Sequence, residues 1–162
     1  MHAPAIMQSL ALLALANGTP LFAKKIFGNR LAQPLDAGLV FLDGRPLLGR
    51  SKTVRGLFAS LIATTVGALL IGVPPAVGAI AAATAMAGDL FSSFVKRRLG
   101  MAPSNQALGL DQVPESLLPL LACRTALSLD MADIALAVAI FFVGELVLSR
   151  LLYKAHLRDE PY

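Results

Sequence analysis

The chain of 162 residues has no tryptophan, one cysteine, two histidines and few charges, 15% of residues against 56% that are hydrophobic. A lone cysteine excludes an intramolecular disulfide, and Cys123 stands in an apolar run, where a buried structural thiol is the expected reading. His2 lies at one end and His156 in a polar tail, which leaves neither an evident metal or general-base role. The spacing of a Walker A loop (Gly, four residues, Gly-Lys-Ser/Thr) is missing, as are internal repeats and low-complexity segments. The scarcity of charge says most, because a soluble domain of this size cannot bury so much apolar surface and a bilayer can.

No charged residue occurs from Gly56 to Gly88. That run is too long for one crossing of the hydrocarbon core, which takes about 20 residues. Pro74-Pro75 divides it, so Leu57 to Val73 reads as one spanning helix and Pro75 to Val95 as its return. Apolar stretches at Ala3 to Ala16, Pro114 to Leu129 and Ala132 to Tyr153 complete a set of five. Ala14-Leu15-Ala16 looks like a signal cleavage site, but no Lys or Arg precedes the stretch. The expectation is an all-α integral membrane protein, one membrane domain over 1–162, with five transmembrane helices and cytoplasmic loops at 18–55 and 96–113. In the first loop Leu39 to Leu48 reads as a short β-hairpin on Asp43-Gly44, confined to an edge by Pro46.

The basic residues orient the bundle. Of 14 Lys and Arg, seven lie between helices 1 and 2, three at Lys96-Arg97-Arg98 and three at Arg150, Lys154 and Arg158. With five spans all three clusters share one face, which is then cytoplasmic. The amino terminus falls outside and the carboxyl terminus inside, its tail from Ala155 to Tyr162 at the cytoplasmic surface. The opposite loops carry only Asp130 and Asp133.

The inner end of helix 3 has the densest chemistry. Asp89, Ser92, Ser93, Lys96 and Arg97 share one helical face, a stripe of carboxylate, hydroxyls and cations. An acid inside a span is costly. Asp89 reads either as a metal ligand beside a phosphate site or as half of an ion pair with Lys96 or Arg97. Asp111, where the chain re-enters the membrane, is either a second ligand or a helix-start acid. Gly49-Arg50-Ser51-Lys52-Thr53-Val54-Arg55-Gly56 places Lys-Thr before a helix amino terminus, suited to anions or to lipid headgroups. Arg124, expected near the middle of helix 4, has Glu145 on helix 5 as its candidate partner.

These segments in this order resemble the CDP-archaeol synthase family, membrane cytidylyltransferases related more distantly to the CDP-diacylglycerol synthases. The resemblance rests on Asn17-Gly18, Asp36-Ala37-Gly38, Phe41 to Arg45, Gly49 to Gly56, Gly88-Asp89, Ser93 to Gly100 and Leu110-Asp111-Gln112. It implies reaction of CTP with the lipid phosphate 2,3-bis-O-geranylgeranylglycerol 1-phosphate and Mg²⁺, giving a CDP-activated lipid and pyrophosphate. It also implies Asp89 and Asp111 at the metal, with Lys96 beside them as the third catalytic residue. Lys52, Arg55, Lys96 and Arg97 would face phosphates, and Asn17, Asp36, Asp43, Thr53 and Ser93 would line the pocket. The family pattern departs after Asp111-Gln112, where Val113 is followed by Pro114 and the acid arrives one position late, as Glu115.

The lipid phosphate arrives ionised, so it needs no base, and the reaction asks instead for charge neutralisation at phosphorus. CTP, the lipid phosphate and membrane lipids are the expected partners, with no nucleic acid and with a homodimer as one way to close a lipid-facing seam. Two other readings stand beside the enzyme: a small transporter or scaffold using Asp89, Arg124 and Glu145 as a polar pathway, and a protein that binds nucleotide or lipid without turnover.

Overall fold

The computed structural model describes residues 2–102 and 105–154; the tail with His156 and Arg158 lies outside them. Five helices follow in order: α1 (Ala3–Phe27), α2 (Val54–Leu70), α3 (Pro75–Arg98), α4 (Gln112–Ala122) and α5 (Met131–Lys154). Three of them, α1, α3 and α5, are long and apolar enough to cross a membrane. The apolar α2 has 17 residues and α4 only 11, and a helix of that shorter length rises about 16 Å against a core of about 30 Å.

The first helix runs well past its expected end at Ala16. Pro20 sits inside it and cannot donate to the Ala16 carbonyl four residues back. Ser60 of α2 supplies the missing donor, its hydroxyl bonding that carbonyl at 2.8 Å. The loop expected at 18–55 thus shrinks to 28–53, and Asn17 and Gly18 become helical.

The fourth helix starts at Gln112 but stops at Ala122 instead of reaching Leu129. Pro119 removes one interior donor, and residues 123–128 tighten into turns that close with Ser128 at φ 53 and the Leu129 amide on the Arg124 carbonyl at 2.9 Å. Arg124 therefore lies beyond the helix and exposed, its Nε donating to the Leu129 carbonyl at 3.4 Å. Glu145 is 14 residues into α5, about 21 Å farther along, so the Arg124–Glu145 pair expected from the sequence does not form.

The hairpin expected at 39–48 is reduced to one antiparallel bridge, Val40 with Pro46, and there is no strand among the described residues. The reversal at Asp43-Gly44 is real, with the Phe41 amide on the Arg45 carbonyl at 2.8 Å. Pro46 has no amide to extend the ladder.

Leu12 and Leu13 of α1, Ala68 of α2, Val77 and Ala81 of α3, Leu120 of α4 and Ile134 and Ala137 of α5 meet in one core, with Cys123 buried among them as expected. Small residues at the crossings let the helices approach closely. At one end of the bundle Gln8 of α1 donates to the Ile71 carbonyl, and the His2 ring lies 2.8 Å from the buried Asp133 of α5. The long loop and the basic end of α3 gather at the other.

Candidate active site

At that second end the helices enclose a cavity of about 1290 Å³. Its inner part is charged and its outer part apolar, walled by Leu10, Ala14 and Leu21 of α1 against Ile140, Phe141 and Leu148 of α5. Of the residues expected to bind substrate or metal, Asn17, Lys52, Thr53, Arg55, Asp89, Ser93, Lys96, Arg97 and Asp111 all line it, whereas Asp36 and Asp43 do not.

Two ion pairs organise the charged chamber. Lys52 Nζ meets both oxygens of Asp89, at 2.5 and 2.6 Å. Lys96 Nζ meets Asp111 Oδ1 at 2.6 Å and also donates to the Asn105 carbonyl at 3.1 Å. The alternative of an Asp89 bond to Lys96 or Arg97 along the same helix is not what forms. Each aspartate is instead bridged to a lysine from another segment. Asp111 is further fixed by the Ala107 amide on its Oδ2 at 2.8 Å, and Gln112 accepts from the Gly109 amide at 2.9 Å.

Lys52 is placed by the loop that precedes it. The Leu35 amide donates to the Lys52 carbonyl at 2.8 Å, and the Val54 amide to that of Gln33 at 3.0 Å. Thr53 caps α2, its hydroxyl accepting from the Gly56 amide at 3.2 Å. Arg55 turns back across the loop and donates to the carbonyls of Gly28 and Arg30 at 2.7 and 2.8 Å, closing the end of α1.

Asp36 and Asp43 hold this loop in shape. Asp36 is buried and accepts from the amides of Gly38 at 3.0 Å, Leu48 at 2.9 Å and Gly49 at 3.1 Å. Burial alone would raise its carboxyl, but the three amides outweigh that and hold it below its ordinary value. Asp43 pairs with Arg98 at 2.6 Å. The Arg98 guanidinium lies over the rings of Phe41 and Phe94, 4.6 and 5.0 Å from their centroids, so the reversal is clamped to the end of α3.

The α3 end itself turns on Gly100, whose φ of 74 suits glycine. Its amide bonds the Arg97 carbonyl at 3.1 Å, and that of Met101 the Lys96 carbonyl at 3.0 Å. Above it Arg97 is only 4% exposed; Nη2 donates to the Ala102 carbonyl at 3.0 Å while Nε and Nη1, also enclosed, have no partner. Arg97 lines the cavity, and its two buried guanidinium donors without a partner are capacity for an anionic ligand.

Gly88 sets the depth of the site. A Cβ there would lie 2.4 Å from the Pro114 carbonyl oxygen and 2.7 Å from the Glu115 amide nitrogen, so α3 and α4 touch backbone to backbone. The contact, reinforced by Ser92 bonding the Leu110 carbonyl at 2.5 Å, holds Glu115 in the chamber that Asp89 also lines. In the sequence Glu115 stands only as a displaced acid, and Glu145 as the candidate partner of Arg124. Both line the chamber; for Glu145 an acid in the middle of an apolar helix was the available signal, whereas Glu115, in the first turn of α4, reads as a helix-start acid. Asp89, Asp111 and Glu115 are hard oxygen donors lining one chamber, the ligand type a divalent cation takes, and the enclosed Oε1 of Glu115 lacks a hydrogen-bond partner; among the described residues the group of three drawn close enough to share one ion is instead His2, Asp130 and Asp133 at the opposite end.

A family described as CarS-like, CDP-archaeol synthase, matches residues 69–162. The chain is 35% identical over 153 residues to a CDP-archaeol synthase of Sulfurisphaera tokodaii, covering 91% of this chain and 89% of that one. With one from Pyrobaculum calidifontis it shares 33% over 156 residues, 91% and 90% of the two chains. A solved structure described as an intramembrane enzyme for archaeal membrane lipids biosynthesis superposes with a TM-score of 0.65 at 31% identity, over 85% of this chain and 90% of that one.

Proposed function

The chain belongs to the CDP-archaeol synthase family, CTP-dependent lipid cytidylyltransferases of archaeal lipid synthesis, and from that premise we propose the substrate, the residues and the orientation of its reaction. A lipid phosphate, by family 2,3-bis-O-geranylgeranylglycerol 1-phosphate, attacks the α-phosphorus of CTP; the bond to the β-phosphate oxygen breaks, and CDP-lipid and pyrophosphate leave. The observation that carries this reading is the continuity of one cavity, apolar between α1 and α5 and charged between α2, α3 and α4. Prenyl chains suit the first part and a triphosphate the second. Both walls of the apolar seam come from one chain, which supports a site complete in a single copy.

Lys52 and Lys96 neutralise their aspartates until nucleotide arrives, then turn to phosphate oxygens. Arg97, with two open donors, takes a further oxygen. Asp89 and Asp111, released by the lysines, would hold Mg²⁺, whose charge offsets that of the leaving pyrophosphate. No residue need act as base, because the attacking phosphate, with a second pKa of about 6, is largely ionised at neutral pH. Asn17, Thr53, Arg55 and Ser93 line the pocket, while Asp36 and Asp43 act at a distance by holding the loop that carries Lys52.

The chain forms a single membrane domain, with α2 and the 112–129 segment completing five crossings beside α1, α3 and α5. The meeting of His2 with Asp133 and of Gln8 with Ile71 at one end supports that alternation, and the basic clusters at the other end support a cytoplasmic side there. The test is pyrophosphate release by purified protein given CTP, Mg²⁺ and a panel of lipid phosphates. Release with the geranylgeranyl substrate is expected; nucleotide binding without release from any lipid would favour binding without turnover.

A further inference from the structure

The turn around Asp43-Gly44 presents apolar side chains outward. Leu42 is 97% exposed and Leu39 and Val40 each 61%, with Phe41 beside them only partly covered. A reversal that faces water is ordinarily made of glycine and small polar residues. Here the two charged members, Asp43 and Arg45, are engaged with the end of α3, Asp43 on the Arg98 guanidinium and Arg45 on the Arg98 carbonyl. What remains on the outside is a contiguous apolar tip.

The place of the turn says what covers that tip. Along α3 the exposed residues Ile80, Ala83, Ala87 and Phe91 follow one another at helical spacing, and Phe94 and Arg98 continue the stripe, partly covered, to the basic end. The helix is long and apolar enough to cross a membrane, and the exposed apolar stripe of a crossing helix is its lipid-facing side. Phe41 packs edge-on against Phe94, 5.3 Å between ring centroids, and Arg98 bonds both Asp43 and the Pro46 carbonyl. The turn is therefore fixed on the lipid side of α3, about one helical turn from the exposed ring of Phe91, and its apolar tip continues the surface that meets lipid.

Its backbone suits that place as well. Irregular chain beside lipid must satisfy its own polar groups. The amides of Leu39, Phe41, Gly44 and Leu47 bond the carbonyls of Asp36, Arg45, Phe41 and Leu39. The Arg45 amide bonds Asp43 Oδ1, and the Arg98 guanidinium takes the Pro46 carbonyl. Long basic side chains keep their charge at the headgroups while apolar neighbours go deeper, so Arg45 and Arg98 limit the depth of the tip to the interface.

We propose that the 39–42 segment is an interfacial anchor, its Leu39, Val40 and Leu42 side chains inserted among the lipids of the cytoplasmic leaflet. The inference rests on the reading that α3 crosses the bilayer with Arg98 at the cytoplasmic surface. The same loop carries Asp36 and Lys52, so the anchor holds it against the surface from which a lipid substrate enters.

The chain has no tryptophan, and a single introduced indole reports its own surroundings. The full chain carrying Leu42→Trp is reconstituted into phosphatidylcholine vesicles brominated either near the headgroup end or near the methyl end of the acyl chains, with iodide on both sides as the aqueous quencher. Blue-shifted emission is expected, lost more to the shallow bromines than to the deep ones and shielded from iodide. Leu39→Trp on the same turn should behave alike and reads the anchor if Leu42→Trp does not fold. Emission lost to iodide and untouched by either bromine would overturn the anchor, as would emission lost to neither quencher, the result of a second copy of the chain seated on the turn. Phe91→Trp tests the premise separately. Bromine quenching of Phe91→Trp without quenching of Leu42→Trp would sink the anchor alone, whereas no bromine quenching of Phe91→Trp would overturn the crossing of α3 and the anchor with it.

Discussion

Lys52 Nζ bonds both oxygens of Asp89, at 2.5 and 2.6 Å, across 37 residues of sequence. The pair joins the entrance of α2 to the first residue of the charged stripe on α3. Lys96 repeats the arrangement with Asp111, so each acid of the proposed metal site is matched to a cation that can leave it for a phosphate.

If those acids take the metal, Asp89→Asn and Asp111→Asn should abolish CTP turnover while the protein still inserts and purifies, because the amide keeps the shape without the charge. Lys96→Ala should slow turnover by roughly 10² to 10³, the cost of removing one oxyanion donor. Steady-state pyrophosphate release measures all three. Wild-type rates in both asparagine variants would return the acids to a structural role.

Gly88→Ala tests the α3–α4 approach. The added methyl would overlap the Pro114 carbonyl, a strain of about 1–3 kcal/mol, and would push Glu115 away from Asp89. A lower melting temperature together with reduced turnover is expected. An unchanged enzyme would mean that the helices have room to spare.

Asp36 makes the loop acid-sensitive. Its folded carboxyl sits below the ordinary 3.8, so the stability it adds is present at neutral pH, begins to fall near the unfolded value of about 3.9, and is gone once pH drops through the folded value. Asp36→Asn should lower stability by about 1–3 kcal/mol at pH 7, as expected for losing charged hydrogen bonds. It should also flatten the pH dependence in that acid window. Hydrogen exchange at the Gly38, Leu48 and Gly49 amides, compared between the two proteins from pH 6 to pH 3, reads the effect; parallel profiles would contradict it.

Orientation is open to thiol labelling, since Cys123 is only 2% exposed and contributes little background. In intact cells an impermeant reagent should modify cysteines introduced at Pro74 or Ser128 and spare one at Asn29. The reverse pattern would invert the proposed topology.

Membrane residence, the order of five helices and much of the charged chamber's lining were legible in the sequence, because each depends on local facts. Charge-free runs mark the helices, and helical spacing puts Asp89, Ser93, Lys96 and Arg97 on one face. The interruptions were harder to weigh. Pro20 falls in the loop expected at 18–55, and nothing near it in sequence announces Ser60 as the donor that keeps α1 helical. Asp36 and Asp43 looked like pocket acids because a loop acid has the same letters whether it faces a ligand or backbone amides.

Partner choice is where the residues' own neighbours stop being informative. Asp89 had two cations two turns away on its own helix, yet it pairs with Lys52 because the bridge between Pro34 and Thr53 delivers that lysine to the chamber. Glu145 lost its expected partner when Arg124 fell beyond a shortened α4, and it came instead to line the chamber. Hydrophobicity and helical period act over a few residues and so can be read from the chain. Which charge meets which is set by helix lengths, crossings such as Gly88 on Pro114, and loop closure, and these exist only once distant segments have packed.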